Sequence, residues 1–140
     1  MVTIRPFADS DEAVVIALWK RAGLTRPWND PAKDIARKRR VQRDLFLVAV
    51  EQDTIVGTIV AGYDGHRGWV NYLAVDPSNR RQGIGRALMA AAETGVRALG
   101  CPKLSIQVRA DNPEALAFYE HLGFTRDEVV SMGKRLEHDD

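Results

Sequence analysis

The sequence predicts a mixed α/β fold, in which helices cover a sheet of both antiparallel and parallel strands. Its 140 residues suit one domain, 1–140, with a single core. Two apolar runs on either side of residues 51–53 indicate a hairpin. A strand, a helix and a further strand then follow over residues 69–108, which is the order of a βαβ crossover.

The first half of the chain is predicted to form a strand, two helices and the hairpin. Residues 2–7, VTIRPF, alternate and are β-branched, as in a strand. Residues 8–23 place acidic side chains ahead of an apolar helical face. After a loop with two prolines, residues 32–44 have helical composition but only a thin apolar face, which indicates a short, exposed helix. The hairpin occupies residues 45–63.

The second half alternates strands and helices. Residues 69–75 form a buried strand, and helical spacing of apolar residues runs from Gly83 to a stop at Gly100. Residues 103–108 alternate as a strand, and residues 112–123 have an Asn cap followed by proline, as at a helix start. Two short strands are predicted within residues 123–136. The total is six to seven strands and about four helices.

Composition excludes several classes of function. The formal net charge is +1, with 45% hydrophobic and 28% charged residues, which gives no overall attraction to nucleic acid or membrane. The basic run at 36–43 is expected to be a solvated helix face. Cys101 is the single cysteine, so neither an intrachain disulfide nor a cysteine-rich metal site is expected. With no signal-peptide pattern or long apolar run, a cytoplasmic location without membrane contact is the expectation.

The stretch NRRQGIGRAL at residues 79–88 is the most informative motif. A buried strand ends at residue 75, and the next helix opens at Gly83, so the free N–H groups of that helix favour an anion. Gly83 and Gly85 permit close approach, while Arg80, Arg81 and Arg86 can pair with phosphate oxygens. Alternatively, the glycines only ease a turn and the arginines are solvated.

Two common nucleotide motifs do not fit this loop. The P-loop pattern G-x-x-x-x-G-K-[ST] is absent, and a dinucleotide fingerprint needs a glycine where Leu88 stands. The pattern R-x-x-G-x-G, from Arg80 to Gly85, instead resembles the pyrophosphate loop of the GNAT superfamily of acetyl-CoA-dependent N-acetyltransferases. The later segment DNPEALAFYEHLGF, at residues 111–124, is similar to a second motif of that family. The order of elements agrees along nearly the whole chain.

The resemblance implies a fold, a donor and a set of binding residues. The fold would be a GNAT-like, mostly antiparallel mixed sheet with a splayed parallel pair. The protein would move an acetyl group directly from acetyl-CoA, its cosubstrate, to a primary amine of a small molecule, amino acid or peptide, without a metal. A homodimer would be in keeping with the family. The implied cofactor contacts are Leu73, Ala74, Val75, Arg80, Arg81, Gln82, Gly83, Ile84, Gly85, Arg86 and Asn112.

The resemblance also assigns catalytic roles. It makes Tyr119 the general acid to the CoA sulfur, although Tyr119 can also be read as a half-buried aromatic and Asn112 as a helix cap only. Many family members carry a glutamate base on the strand that corresponds to residues 69–75, and this chain has none there. Asp64 and His66, or Tyr72 or ordered water, are left as candidate bases. The missing glutamate also motivates an alternative, a non-catalytic acetyl-CoA-binding regulatory module of the same fold.

The acceptor is expected to contact the loop between the first two helices. That loop combines Arg26, Trp28, Asn29 and Asp30, and loops carry binding residues disproportionately. Trp28 is equally well explained as a hydrophobic plug between helices. A site with both Arg26 and an acid such as Asp30 or Asp64 would suit an amino acid or another small zwitterion.

Overall fold

A five-stranded mixed sheet organises the chain in a computed structural model that describes residues 1–139. The strands lie side by side in chain order. The first four pair antiparallel, and the fifth pairs parallel with the fourth. This arrangement confirms the predicted mixed sheet and its parallel pair. The strands are β1 (Thr3–Pro6), β2 (Phe46–Glu51), β3 (Thr54–Tyr63), β4 (Gly68–Val75) and β5 (Leu104–Ile106).

Four α-helices and three short 3-10 turns complete the described part of the chain. None of these helices, within residues 1–139, is long and apolar enough to cross a membrane. The 3-10 turns are Asp9–Asp11, Arg43–Leu45 and Pro77–Asn79. The helices are α1 (Glu12–Arg21), α2 (Pro31–Lys38), α3 (Ile84–Ala98) and α4 (Pro113–His121).

The chain divides into two compact units. The first comprises residues 1–106 together with Asp139, and it contains the whole sheet with α1, α2 and α3. The second comprises residues 107–138 and contains α4. The βαβ crossover predicted from the sequence therefore lies within the first unit.

The core of the first unit is built from large apolar side chains of α1, α2, β2 and β3. The Phe7 and Phe46 rings stack with centroids 4.3 Å apart, and Trp19 stacks on Phe46 at 6.0 Å. Burial of such side chains supplies most of the stabilisation of a fold of this size. The buried cluster consists of Phe7, Val15, Leu18, Trp19, Ile35, Phe46, Val48, Ile55 and Ala74.

A glycine on β3 fixes how closely α3 approaches the sheet. A Cβ at Gly57 would lie 3.0 Å from Leu88 Cδ1 and 3.1 Å from Ile84 Cγ2. Both of these side chains are buried and belong to the first two turns of α3. The absence of a side chain at Gly57 thus lets the N-terminal end of α3 lie tightly against β3.

The prediction of six to seven strands is wrong, because the sheet has five. The two strands expected within residues 123–136 do not form, and that segment has no regular secondary structure. Its apolar residues are largely exposed, with Val129 at 77% and Val130 at 87%. A two-residue apolar pair between polar neighbours offers too little apolar surface to bury, so its burial cannot offset the entropy lost in ordering a strand. The last confirmed strand is also shorter than predicted, at Leu104–Ile106.

Candidate active site

The strand β4 has a strand partner along only part of one edge. Gly68, Trp69 and Val70 pair in parallel with β5. Among residues 1–139, no strand continues this pairing beside the rest of β4, from Asn71 to Val75. An edge of this kind presents N–H and C=O groups that can pair with an extended ligand.

A β-bulge interrupts β4 at the point where the pairing with β5 ends. Between the pairs Thr58–Ala74 and Val60–Asn71, β4 contains one residue more than β3. Tyr72 lies in this interval and has a φ of 51°, in the left-handed region that residues other than glycine seldom occupy. A bulge redirects the backbone and side chains around it, and bulges are over-represented beside active sites.

A buried chain of hydrogen bonds connects the bulge to α1. The indole Nε1–H of Trp19 donates to the Thr58 hydroxyl at 2.8 Å, and that hydroxyl donates to the backbone carbonyl of Tyr72 at 2.9 Å. Trp19 and Thr58 are both almost fully buried, and the Trp19 ring stacks on the Tyr72 ring at 3.8 Å. Helix α1 therefore fixes the strained backbone of Tyr72 through one threonine.

The turn after β4 is ordered by a single carboxylate. Asp76 accepts hydrogen bonds from the Ser78 N–H at 3.0 Å and from the Ser78 hydroxyl at 2.8 Å. Arg21 at the end of α1 donates to the other Asp76 oxygen at 2.8 Å. The Ser78 backbone N–H, followed by the hydroxyl and Arg21, lowers the pKa of Asp76. Because Asp76 stays ionised, the 3-10 turn that leads to α3 remains attached to α1.

The loop that opens α3 contains two left-handed residues. Arg81 has a φ of 65° and Gly83 a φ of 77°, and α3 begins immediately afterwards at Ile84. The Ala87 N–H donates to the Gly83 carbonyl at 3.0 Å, which is the first bond of the helix. The N–H groups that precede it, at Ile84 and Gly85 among others, therefore have no partner within the helix. Free N–H groups at the positive end of a helix dipole favour the binding of an anion.

Charged side chains surround this helix start. Arg80, Arg81 and Arg86 are all exposed, as is Gln82. Ile84, which was predicted as a cofactor contact through its backbone, has a buried side chain that anchors the helix. The residues of the predicted loop thus combine an anchored helix end with exposed positive charge, and arginine side chains of this kind can pair with phosphate oxygens.

The three predicted contacts on β4 lie just beyond the bulge. Ala74 is buried, whereas Leu73 and Val75 are half-buried. Ala74 and Val75 pair with Thr58 and Gly57 of β3 on one side. Their packing agrees with a core role for the side chains, while the edge away from β3 has no strand partner in residues 1–139.

The second unit contains the predicted acid. Tyr119 is 8% exposed, and its ring meets those of Phe118 and Phe124 edge to face at 5.1 and 5.7 Å. Burial raises the pKa of Tyr119 to about 12, so its phenol keeps its proton at neutral pH. Asn112 is exposed and caps α4, where its Oδ1 accepts a hydrogen bond from the Ala115 N–H at 3.1 Å. The catalytic role of Tyr119 and the cofactor contact of Asn112 stay predictions.

Asp64 and His66 lie in the exposed turn between β3 and β4. Asp64 Oδ1 accepts hydrogen bonds from the His66 and Arg67 N–H groups, both at 2.8 Å. The Arg67 and His66 N–H groups lower the pKa of Asp64, which makes it a weaker base. The hydrogen bonds of Asp64 stabilise the turn, which explains an aspartate at this position without a catalytic role. The His66 side chain is exposed.

The predicted acceptor residues lie in a loop that is held by contacts of its own. Arg26 donates to two backbone carbonyls of its own loop, at 2.8 and 2.9 Å, and forms an isolated bridge with Asn29. Asp30 caps α2 by accepting a hydrogen bond from the Ala32 N–H at 2.9 Å. Trp28 is 50% exposed rather than a buried plug.

The structure adds a carboxylate that the sequence reasoning missed. Asp34 on α2 accepts a 2.6 Å hydrogen bond from the Tyr72 hydroxyl, and its other oxygen accepts one from Arg37 at 3.0 Å. Burial, followed by the neighbouring Asp34 carboxylate, raises the pKa of Tyr72. The available signal was that Asp34 is the single acid within α2, among three basic residues. A negative charge thus lies beside the bulge of β4, although β4 itself carries no carboxylate.

Within residues 1–139, no group of three or more His, Cys, Asp or Glu side chains is arranged to hold a metal ion. Cys101 is a free, half-buried thiol beyond the C-terminal end of α3.

Comparison with solved structures identifies similar chains. Ard1 from Thermoplasma volcanium is 32% identical, with a TM-score of 0.80; the match covers 89% of this chain and 82% of that one. The ribosomal-protein-S18-alanine N-acetyltransferase from Escherichia coli is 27% identical, with a TM-score of 0.76, over 91% and 79% of the two chains. The aminoglycoside N-acetyltransferase AAC(6')-Iy, solved in complex with CoA, is 19% identical with a TM-score of 0.78, over 97% and 95%.

The sequence itself matches a family model. The model of the acetyltransferase (GNAT) family matches residues 13–124, which include the bulged strand, the loop that opens α3, and α4. The five-stranded sheet with its parallel β4–β5 pair agrees with the folds of the similar structures. The chain therefore belongs to the acetyltransferase (GNAT) family.

Proposed function

We propose that the protein transfers an acetyl group from acetyl-CoA directly to a primary amine of a small molecule, amino acid or peptide. The observation that carries the proposal is the start of α3. Its free N–H groups follow two left-handed residues, Arg81 and Gly83, directly after the bulged strand. A pyrophosphate suits this site in both charge and geometry. The structure of AAC(6')-Iy in complex with CoA supports the same donor.

The unpaired edge of β4 would hold the rest of the donor. Backbone groups at Leu73 and Val75 would pair with the pantetheine arm, which is extended and carries amides of its own. The bulge at Tyr72 supports this placement, because it lies where the pairing with β5 ends. A backbone N–H near Leu73 or Ala74 would then donate to the oxygen of the thioester carbonyl as negative charge develops there.

The reaction needs a neutral amine, stabilisation of the oxyanion and a proton for the leaving thiolate. The amine nitrogen forms a bond to the carbonyl carbon, and the carbon–sulfur bond breaks. Tyr119 would donate its proton to the sulfur, a role supported by its raised pKa of about 12 and by the family resemblance of its segment. The attacking nitrogen carries a positive charge once it has bonded to the carbonyl carbon. It would lose one proton to the phenolate, directly or through water, which restores Tyr119 and leaves a neutral amide.

A carboxylate beside the bulge suits an amine acceptor. We assign Asp34 to orient the amine, through its hydrogen bond with Tyr72 and its negative charge. The acceptor must lose a proton before attack. That costs about 4 to 5 kcal/mol near pH 7 for a lysine-like amine, but about 1 kcal/mol for an α-amino group. The absence of a carboxylate on β4 therefore favours an acceptor with a less basic amine.

Release of free thiol tests the proposal. The purified protein is incubated with acetyl-CoA and a panel of amines that includes small amines, amino acids and short peptides. Amine-dependent thiol release with matching N-acetylated product supports the transferase. If acetyl-CoA binds tightly but no amine in a broad panel releases thiol, the chain is a regulatory acetyl-CoA-binding module instead.

A further inference from the structure

The side chain of Asp139 is buried against α2, although it follows a long exposed segment. Its exposed fraction is 1%. Its Oδ2 accepts a hydrogen bond from the Asp30 backbone N–H at 2.8 Å and one from Arg37 at 3.3 Å. Its Oδ1 accepts a hydrogen bond from Arg37 at 2.6 Å. Both carboxylate oxygens are therefore bound by the protein.

These contacts make a built carboxylate site. Arg37 binds both oxygens in the forked manner that guanidinium groups use with carboxylates. The Asp30 N–H lies at the N-cap of α2, where the helix dipole favours negative charge. The Arg37 guanidinium, followed by the Asp30 N–H, lowers the pKa of Asp139 to about 2.

The site also recognises the backbone of its occupant. The Lys33 ammonium donates to the main-chain carbonyl of Asp139 at 3.2 Å. An acidic side chain and a peptide carbonyl are thus bound together, which is how a short acidic peptide segment would be held. Helix α2 adds a basic surface, because three of its eight residues are Lys or Arg.

This carboxylate site is connected to the bulge of β4. Arg37 donates to Asp34 as well as to Asp139, and Asp34 in turn accepts from the Tyr72 hydroxyl. All of these residues belong to the first unit. A ligand held by Arg37 therefore lies close to the carboxylate that we assign to the amine.

We propose that Arg37, Lys33 and the Asp30 N–H form a binding site for an acidic residue of a peptide acceptor, and that Asp139 occupies this site as a competing segment of the chain itself. The role of the peptide as an acetyl acceptor rests on the proposed function, whereas the carboxylate-binding contacts do not depend on it. An attached segment competes at an effective concentration in the millimolar range. Removal of the Asp139 carboxylate should therefore open the site to peptides in solution.

The test uses the full chain and a blocked aspartate, N-acetyl-aspartate N-methylamide. Its neutral matched probe is N-acetyl-asparagine N-methylamide. Binding is followed by NMR at the backbone amide of residue 30, without acetyl-CoA. We expect Asp139→Asn to bind the acidic probe at least about tenfold more tightly than the wild type, and the combined Arg37→Gln and Asp139→Asn variant to lose that gain.

Three outcomes would overturn the inference. The first is equal affinity of the wild type and Asp139→Asn for the acidic probe. The second is equal binding of the neutral probe by Asp139→Asn. The third is tighter binding of free aspartate than of the blocked form, which would identify a small amino acid as the ligand. Thermal unfolding of each variant verifies that it is folded.

A second arm separates this inference from the proposed function. With acetyl-CoA present, Asp139→Asn should lower KM for peptides with an acidic residue near the amine by about tenfold and leave kcat nearly unchanged. Loss of the binding signal in the first arm contradicts the carboxylate site alone. A positive binding signal without any thiol release contradicts the proposed acetyltransferase activity but supports the carboxylate site.

Discussion

The Tyr72 hydroxyl donates a 2.6 Å hydrogen bond to Oδ2 of Asp34, and this contact joins the bulge of β4 to α2. The two residues are separated by 38 positions in the sequence. Through this bond, the strand that would bind the donor and the helix that would bind the acceptor share one rigid connection. The same Tyr72 ring stacks on Trp19, so α1 supports the connection from a third element.

Substitution of Thr58 by valine should destabilise the fold. The change keeps the shape of the side chain but leaves the Trp19 N–H and the Tyr72 carbonyl without their shared partner, at a cost of about 2 to 4 kcal/mol. Urea unfolding measures the loss. The control is Thr94→Val, at an exposed position on α3, which should change the free energy of unfolding by less than about 0.5 kcal/mol. Equal effects of the two changes would contradict a special role for Thr58.

Substitution of Asp34 by asparagine should weaken acceptor binding. The amide oxygen can still accept from Tyr72, so the fold is retained, but the negative charge beside the bulge is lost. We expect KM for the amine to rise about tenfold, equivalent to about 1.4 kcal/mol, with a smaller change in kcat. Steady-state kinetics at saturating acetyl-CoA measure both. An unchanged KM for every accepted amine would remove Asp34 from the acceptor site.

Substitution of Tyr119 by phenylalanine should impair the chemical step. Loss of a general acid lowers kcat by about 10² to 10⁴, while the dissociation constant of acetyl-CoA stays within about twofold. Tyr63→Phe, on β3, is the matched control and should retain its rate. Because the pKa of Tyr119 is raised to about 12, the wild-type kcat should not fall at about pH 10, where an ordinary tyrosine loses its proton. A decline there would show that another group supplies the proton.

Acidification should weaken the contact between Asp139 and α2. The pKa of Asp139 is lowered in the folded chain to about 2, from an ordinary value of about 3.9. A group with a lowered folded pKa stabilises the fold above its unfolded pKa, and this contribution is lost as the pH falls from about 4 to about 2. The charges that face the group are Arg37 and Lys33, with Asp34 bound to the same guanidinium.

Measurement of the free energy of unfolding as a function of pH tests whether stability falls in this range as predicted. Asp139→Asn should reduce stability at pH 7 and flatten the decline between about pH 4 and pH 2. Parallel pH curves for the wild type and Asp139→Asn would contradict the contact. The lowered pKa values of Asp11, caused first by Arg5, and of Asp76, caused first by the Ser78 N–H, make the wild type lose stability in the same direction.

Local patterns in the sequence predicted the elements that depend on neighbouring residues. These elements are determined by residues that lie close together in the sequence: the cap and proline that begin α4, the glycine that begins α3, and the hairpin of β2 and β3. The prediction of two strands within residues 123–136 was wrong, because a short apolar pair has the local pattern of a strand whether or not a sheet is there to bury it.

The parts that the sequence did not predict depend on distant contacts. A one-residue bulge at Tyr72 has no pattern of its own, since it arises from how β4 pairs with β3. Asp34 and Asp139 are ordinary polar residues in the sequence, and their contacts link positions 38 and 102 residues away. Arg26 and Asp30 suggested a zwitterion site, yet both stabilise their own loop, and the pairing of acid and base occurs instead at Asp34 and Arg37.

The affinity of the Gly83→Ala variant for acetyl-CoA tests the central claim most directly. Space is available for a Cβ at Gly83, so the change acts through its φ of 77°, which costs an alanine about 1 to 2 kcal/mol and displaces the first N–H groups of α3. Gly100→Ala is matched, with a φ of 90° and equal space at the opposite end of the same helix. Calorimetric titration should show affinity reduced at least about tenfold for Gly83→Ala and within about twofold of wild type for Gly100→Ala. Equal affinities for the two variants would contradict the placement of the pyrophosphate at the start of α3.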